Sequence, residues 1–341
     1  MAKRHMEIGN FVCRFGDERV MLDFFHEIIF PAFCRPRDVV SRKKANNFVL
    51  DPRITEIRSG DISSLALTGF FVKDSVLERE EIVDPDTGDL VENPQTMSSA
   101  SSAIFVLLLD SHRLLYVKRQ SYAPQMQEFA SFLRRQFKLS HIDYISKLYL
   151  ESNDGMEQIP ESKLLKLYAK KVPAPKLDLV PLASKDSLAD LLNRYSIIKS
   201  LTIELTPTNN ELDNEPLFSG LRRGKQETGS KKSSAKFEWD KETGLNKDGC
   251  ARQVEPATKQ GNAIIKFEGT SATGAKLTIT NEECKMQVPV DESIVKQPQK
   301  EATKQLYDIF QELVKDKQIM IKISPTGNID TLKQIKKKLA L

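Results

Sequence analysis

The chain has 341 residues, 40% of them apolar and 29% charged, with a formal net charge of +4. This composition excludes a disordered polyelectrolyte and a small disulfide scaffold, and fits one large domain or two medium ones. So modest a net charge also excludes a uniformly basic body, so anion recognition must come from local clusters.

The stretch MAKRHMEIGN has no apolar core segment, so no signal peptide is expected and the protein is placed in the cytoplasm. Glu18–Phe33 sets Val20, Met21, Phe24, Ile28 and Ile29 on one helical face, and Pro31 is expected to break or end that helix. A basic cluster follows at once: Arg35, Arg37, Arg42, Lys43 and Lys44, with Asp38 between them. Asn47–Leu50 and Ser64–Lys73 read as strands. Ile82–Val91 predicts a hairpin, because DPDTGD between two apolar pairs supplies turn chemistry. Its Asp84, Asp86 and Asp89 resemble a calcium loop, but an EF-hand needs Gly where Asp89 stands and Glu where Gln95 stands.

Ala103–Leu109 is the longest strongly apolar run. It is too short to span a bilayer and reads as a buried strand, paired with His112–Lys118 through a turn at Asp110–Ser111. Gln125–Leu139 predicts an amphipathic helix with Arg134, Arg135 and Lys138 on its polar side, and a second helix is expected from Ile142 to about Glu151. Further on, Lys176–Pro181 and Ile197–Leu205 read as strands flanking a helix at Ser187–Tyr195, a β-α-β unit. Strands are expected at Ser234–Trp239 and Met286–Val290, a hairpin from Gly261–Gly269 and Ala275–Thr280, and helices at Gly244–Lys259 and Gln299–Lys315. The fold class expected is α+β: a mixed α/β domain over 1–158, a connection over 159–175, an α+β domain with a largely antiparallel sheet over 176–325, and a basic tail over 326–341.

The strongest functional signal is Ser219–Lys236 (SGLRRGKQETGSKKSSAK), read as a flexible loop. It holds Arg222, Arg223, Lys225, Lys231, Lys232 and Lys236 against one acid, Glu227. Cations that cannot neutralise one another locally attract an outside anion, and nucleic acid offers closely spaced phosphates whose condensed counterions are released on binding. With the Arg35–Lys44 cluster, Arg134 and Arg135, these residues form the candidate nucleic-acid surface. Phe218, Phe237, Trp239 and Tyr122 are the aromatics that could add base stacking, with Trp239 the foremost.

Enzymatic signatures are weak. Gly224 and Gly229 have phosphate-loop spacing, but Ser230 and Lys231 follow in the reverse of the required order. Arg135 and His141 match the R-x5-H spacing of HEPN-type ribonucleases, which makes a ribonuclease toxin the alternative reading. Glu238, Asp240 and Lys241 lack an assignable partner acid for a metal-dependent nuclease, and no G-x-S-x-G occurs. Cys13, Cys34, Cys250 and Cys284 form no C-x-x-C pair, and the four histidines show no zinc spacing, so reduced thiols, no metal and no cofactor are expected.

In its order of segments the chain resembles the RexA type of phage-exclusion protein. The likeness runs from the strand near Phe105 through KLYAKKVPAPKLDLVPL, SLADLLNRY, SLTIEL, the basic run and AIIKFEGTSATGAKLTI to KEATKQLYDIFQELVK, about Ser101–Lys317. The resemblance implies an intracellular, dimeric DNA-binding sensor without catalytic activity, working with an effector protein. It carries over no site residue position by position. The expected partners are therefore nucleic acid, DNA favoured over RNA, a second copy of the chain and an effector, with no insertion into a membrane. A protein-interaction subunit whose basic patches meet an acidic partner is a third reading.

Overall fold

Alternating apolar stretches build two antiparallel sheets, seen in a computed structural model that describes residues 3–36, 46–153, 159–206, 216–239, 243–321 and 329–339. The chain opens with β1 (Lys3–Phe15), β2 (Arg19–Val20), α1 (Phe30–Phe33), β3 (Asn46–Ser59), β4 (Ile62–Val83), β5 (Leu90–Leu108) and β6 (Arg113–Lys118). Next come α2 (Met126–Ser152), α3 (Glu161–Tyr168), β7 (Pro175–Pro181), α4 (Lys185–Asn193), β8 (Tyr195–Leu205), α5 (Pro216–Thr228), β9 (Ser234–Glu238) and α6 (Lys247–Gln260). Last are β10 (Ala263–Ser271), β11 (Lys276–Thr280), β12 (Gln287–Asp291), α7 (Glu292–Lys296), α8 (Gln299–Lys315) and α9 (Ile329–Leu339). With 37% helix and 40% strand, in antiparallel sheets covered by helices, the fold is α+β as expected.

The first sheet runs β12-β1-β6-β5-β4-β3, and β2 and β7 also pair with β1. Both faces of its centre are covered, which is why Ala103–Leu109 is continuously apolar rather than alternating. On one face Phe33, Phe71, Phe105 and Tyr116 surround Phe129 of α2, with ring centroids 4.9–6.3 Å away. On the other face Ile104, Val106 and Leu115 meet Ala302, Leu306 and Phe310 of α8. The second sheet, β11-β10-β8-β9, buries one face under α4, α5 and α6 through Leu188, Phe218 and Val254.

The hairpins fall where turn chemistry places them. Val83 pairs with Leu90, and the Asp84 carboxylate accepts from the Asp86 and Thr87 backbone N–H groups. That carboxylate therefore caps the turn.

Six expectations need correction. The apolar face of Glu18–Phe33 is buried as expected, but the segment is a 3₁₀ turn (Met21–Phe24), a π turn (Phe25–Ile29) and then α1. Pro31 sits in the first turn of α1, where its missing N–H costs nothing, so it begins a turn rather than ending one. The two helices expected between Gln125 and Glu151 are one, because Ser140 and His141 are buried in its middle. The β-α-β unit is not one: β7 pairs with β1 in the first sheet and β8 with β9 and β10 in the second. The sheets also cross the boundaries read from sequence. All but the first residue of β7, and all of β12 and α8, lie within 176–325, yet both strands bond to β1 and α8 covers the first sheet. The stretch 159–175 is not merely a connection: α3 and the turn after it bury Leu164, Tyr168 and Val172 in the first core.

The basic tail is docked. Ile335 of α9 is 1% exposed, Leu332 packs beside it, and Lys336 bonds Glu56 at 2.9 Å. Deleting Thr331–Leu341 should lower the unfolding midpoint by about 3–8 °C, the loss of one buried aliphatic side chain and its neighbour in a chain of this size. An unchanged midpoint in a thermal scan would show that α9 is not part of the body.

Candidate nucleic-acid interface

The run read as a flexible loop is mostly helix. Leu217, Phe218 and Leu221 of α5 pack on the second core, and this apolar spacing sets the helix. It ends in a Schellman motif: Gly229, at φ +62°, donates to Gln226 O and Ser230 to Lys225 O. Gly224 lies inside α5, so the glycine spacing that mimics a phosphate loop has no loop to belong to.

Folding also sets acids, from within the segment and from outside it, against these cations. Arg223 pairs with Glu227 at 3.8 Å, Lys232 with Glu204 of β8 at 2.6 Å, and Lys236 with Glu238 at 2.5 Å. The hydrogen bonds that Lys232 and Lys236 donate to Glu204 and Glu238, then the carboxylate charges, raise the pKa of the two lysines. Arg222 donates to Thr206 O at 3.1 Å. Among the described residues, Lys225 and Lys231 have no ion pair. The six-to-one imbalance is thus a property of the segment, not of the surface it forms.

Positive charge gathers instead around β7. Arg14 of β1 stands directly opposite Lys176 of β7 in the ladder. Like charges so placed repel. Arg222 reaches the same place: burial, and the positive charge of Arg222, draw the Arg14 guanidinium below its ordinary range, opposed by Asp17 and Asp23. Arg134 of α2 donates to Leu177 O of β7 at 3.0 Å. Asp178 tempers the group, bonding Lys176 at 3.4 Å.

The helix α3 and the turn after it, which lead into β7, add Lys163, Lys166, Lys170 and Lys171, all exposed and without an ion pair among the described residues. Lys138 of α2 joins this edge through Glu161 at 3.3 Å. Arg14, Lys176 and the α3 lysines escaped the sequence reading. Four lysines within KLLKLYAKK were visible there, but the stretch looked like a boundary; the Arg14–Lys176 register was not visible at all.

Other predicted residues fall elsewhere. Arg35 pairs with Asp143, two helical turns beyond Arg135 on α2. Arg37, Arg42, Lys43 and Lys44 lie outside the described residues. Arg135 is exposed, but His141 is 1% exposed, with Nε2 2.9 Å from Val172 O and its pKa lowered by burial against that hydrogen bond. The structure does not bring the two into one site, and His141 serves the packing of α2 against Val172. Phe218 is core, Trp239 is half-buried, and Phe237 and Tyr122 are 38% and 66% exposed, so Trp239 is not the foremost stacking surface. Asp240 and Lys241 lie outside the described residues.

Cys13, Cys34, Cys250 and Cys284 are free thiols. Among the described residues no helix is long and apolar enough to cross a membrane, and no group of three or more His, Cys, Asp or Glu is arranged to hold a metal. No protein-family model matches the chain, and a search of curated proteins finds no match.

Proposed function

We propose that the protein binds nucleic acid, DNA in preference to RNA, through the basic surface around β7. The observation that supports this most is the like-charged Arg14–Lys176 pair with Arg222 against it, flanked by four exposed lysines on and after α3. A phosphate backbone laid across this surface would meet these cations and the exposed lysines, with release of its condensed counterions. Lys and Arg on a sheet edge and helix flank read phosphate rather than base edges, so sequence preference is low. The preference for DNA, the role of a non-catalytic sensor or accessory subunit in bacterial phage defence, the homodimer, the effector partner and the cytoplasmic setting rest on the RexA-type resemblance.

Binding of duplex DNA, single-stranded DNA and RNA across a salt series tests the reading. Replacing Lys166, Lys171 and Lys176 by Ala should weaken binding at every sequence and flatten the salt dependence on duplex DNA by about 0.9 per lost phosphate contact. All three side chains are exposed, so unfolding midpoints should not move. A salt slope equal to that of the unaltered protein would remove this surface from the interface.

A further inference from the structure

Beyond its base the β4–β5 ribbon leaves the body. Among the described residues, from Ser75↔Ser99 to Val83↔Leu90 the two strands pair only with each other. The arm is about 30 Å long, at roughly 3.3 Å per residue. Val76 is 42% exposed, Val83 61%, Leu90 68% and Met97 62%, so neither face of the arm is buried against the described residues. An isolated two-stranded ribbon is at best marginally stable in water.

Its charge is opposite to that of the rest of the protein. Residues 74–92 hold eight acids and one base, a net charge of −7, in a chain whose total is +4. The remainder is therefore at +11. Near the tip Glu81 stands opposite Glu92, and two residues on Val83 stands opposite Leu90. One face thus presents two mutually repelling carboxylates beside two exposed apolar side chains. Nucleic acid, with the same sign of charge, is excluded as the occupant.

The complement lies on the same molecule. Leu167 of α3 is 61% exposed and is surrounded in sequence by Lys163, Lys166, Lys170 and Lys171. We propose that the acidic arm of one copy docks on the α3 face of a second copy, Val83 and Leu90 against Leu167, with Glu81 and Glu92 between the lysines. Because α3 borders the surface assigned to nucleic acid, the docked arm competes with it; this last consequence, alone, rests on the nucleic-acid reading.

Sedimentation velocity of the full chain at low and high salt, with duplex DNA added in a separate arm, tests this. The unaltered protein should self-associate at low salt and dissociate as salt rises. Glu81→Gln with Glu92→Gln, and separately Val83→Ser with Leu90→Ser, should each weaken association about tenfold, given two lost surface contacts apiece. Lys166→Glu with Lys170→Glu should do the same, and mixing that protein with a Glu81→Lys, Glu92→Lys chain should restore association. Circular dichroism should be unchanged in all of them. A monomer at every salt concentration, association indifferent to the arm, or no rescue by the charge swap would overturn the proposal. Arm-dependent association in a protein that binds no nucleic acid would uphold the docking and sink only the nucleic-acid reading. If both stand, duplex DNA dissociates the assembly and the Gln variant binds DNA more tightly.

Discussion

Phe129→Ala is expected to lower stability by about 3–5 kcal/mol, the range for truncating a fully buried aromatic ring. Phe129 is 0% exposed and lies at the hub of four rings from separate parts of the chain: Phe33 after the π turn, Phe71 on β4, Phe105 on β5 and Tyr116 on β6. Three of these neighbours are anchored in a sheet closed on both faces and the fourth, Phe33, on α1, so they cannot collapse into the space left behind. The cavity term is therefore retained nearly in full. Urea unfolding should show a lower midpoint with an unchanged slope. A loss below about 1 kcal/mol would mean that α2 does not seal this face of the sheet.

Acid should destabilise the protein through His112. This residue closes the β5–β6 turn at φ +52°, its carbonyl accepts from the Phe11 N–H at 2.8 Å, and its Nδ1 is buried with no hydrogen-bond partner among the described residues. Burial first, and then the neighbouring Arg113 charge, lower its pKa from 6.5 to about 4. The unfolded chain thus takes up a proton on this ring between about pH 6.5 and 4 while the folded chain does not. The contribution is complete above pH 6.5 and is lost as pH falls through the folded value, about 3 kcal/mol in all. Asp110 acts in the opposite sense, since burial raises its carboxyl pKa and favours its protonated form. The His112 part is isolated by difference: His112→Asn keeps a residue that tolerates positive φ and removes the titration. Unfolding free energies at pH 7, 5.5 and 4.5 should fall more steeply for the unaltered protein than for the variant. Parallel curves would refute the assignment.

What the sequence disclosed and what it hid divide along a physical line. The hairpins at Ile82–Val91 and Ala103–Lys118 were legible because turn chemistry and apolar pairing are encoded within a dozen residues. The α+β class was legible for the same reason, from the mixture of periods. The helix α5 was not, because Gly220 and Gly224 looked like loop markers; a Cβ added at either would meet nothing within 4 Å, so these glycines merely line a solvent face. The continuity of α2 was hidden by Ser140 and His141, polar residues that tertiary contacts bury. The candidate surface was half visible: its residue types stood in the sequence, but the acid that neutralises Lys232, and the register that sets Arg14 against Lys176, come from distant strands.

The order in which β1 acquires its neighbours bears on how the polypeptide matures. One edge of β1 is shared end to end: β7 bonds Gly9–Phe15, while β12 bonds Lys3–Glu7, with Lys3 opposite Asp291. During synthesis β6 and β7 emerge early enough to pair, but the outer half of that edge must wait until nearly 290 residues have been made. A long-waiting strand edge is where nascent chains stick to one another. Here the waiting stretch is Lys-Arg-His-Met-Glu, four of its five side chains polar or charged. The ribosome thus carries an unfinished sheet whose open rim is guarded by charge, and the last strand to arrive closes it.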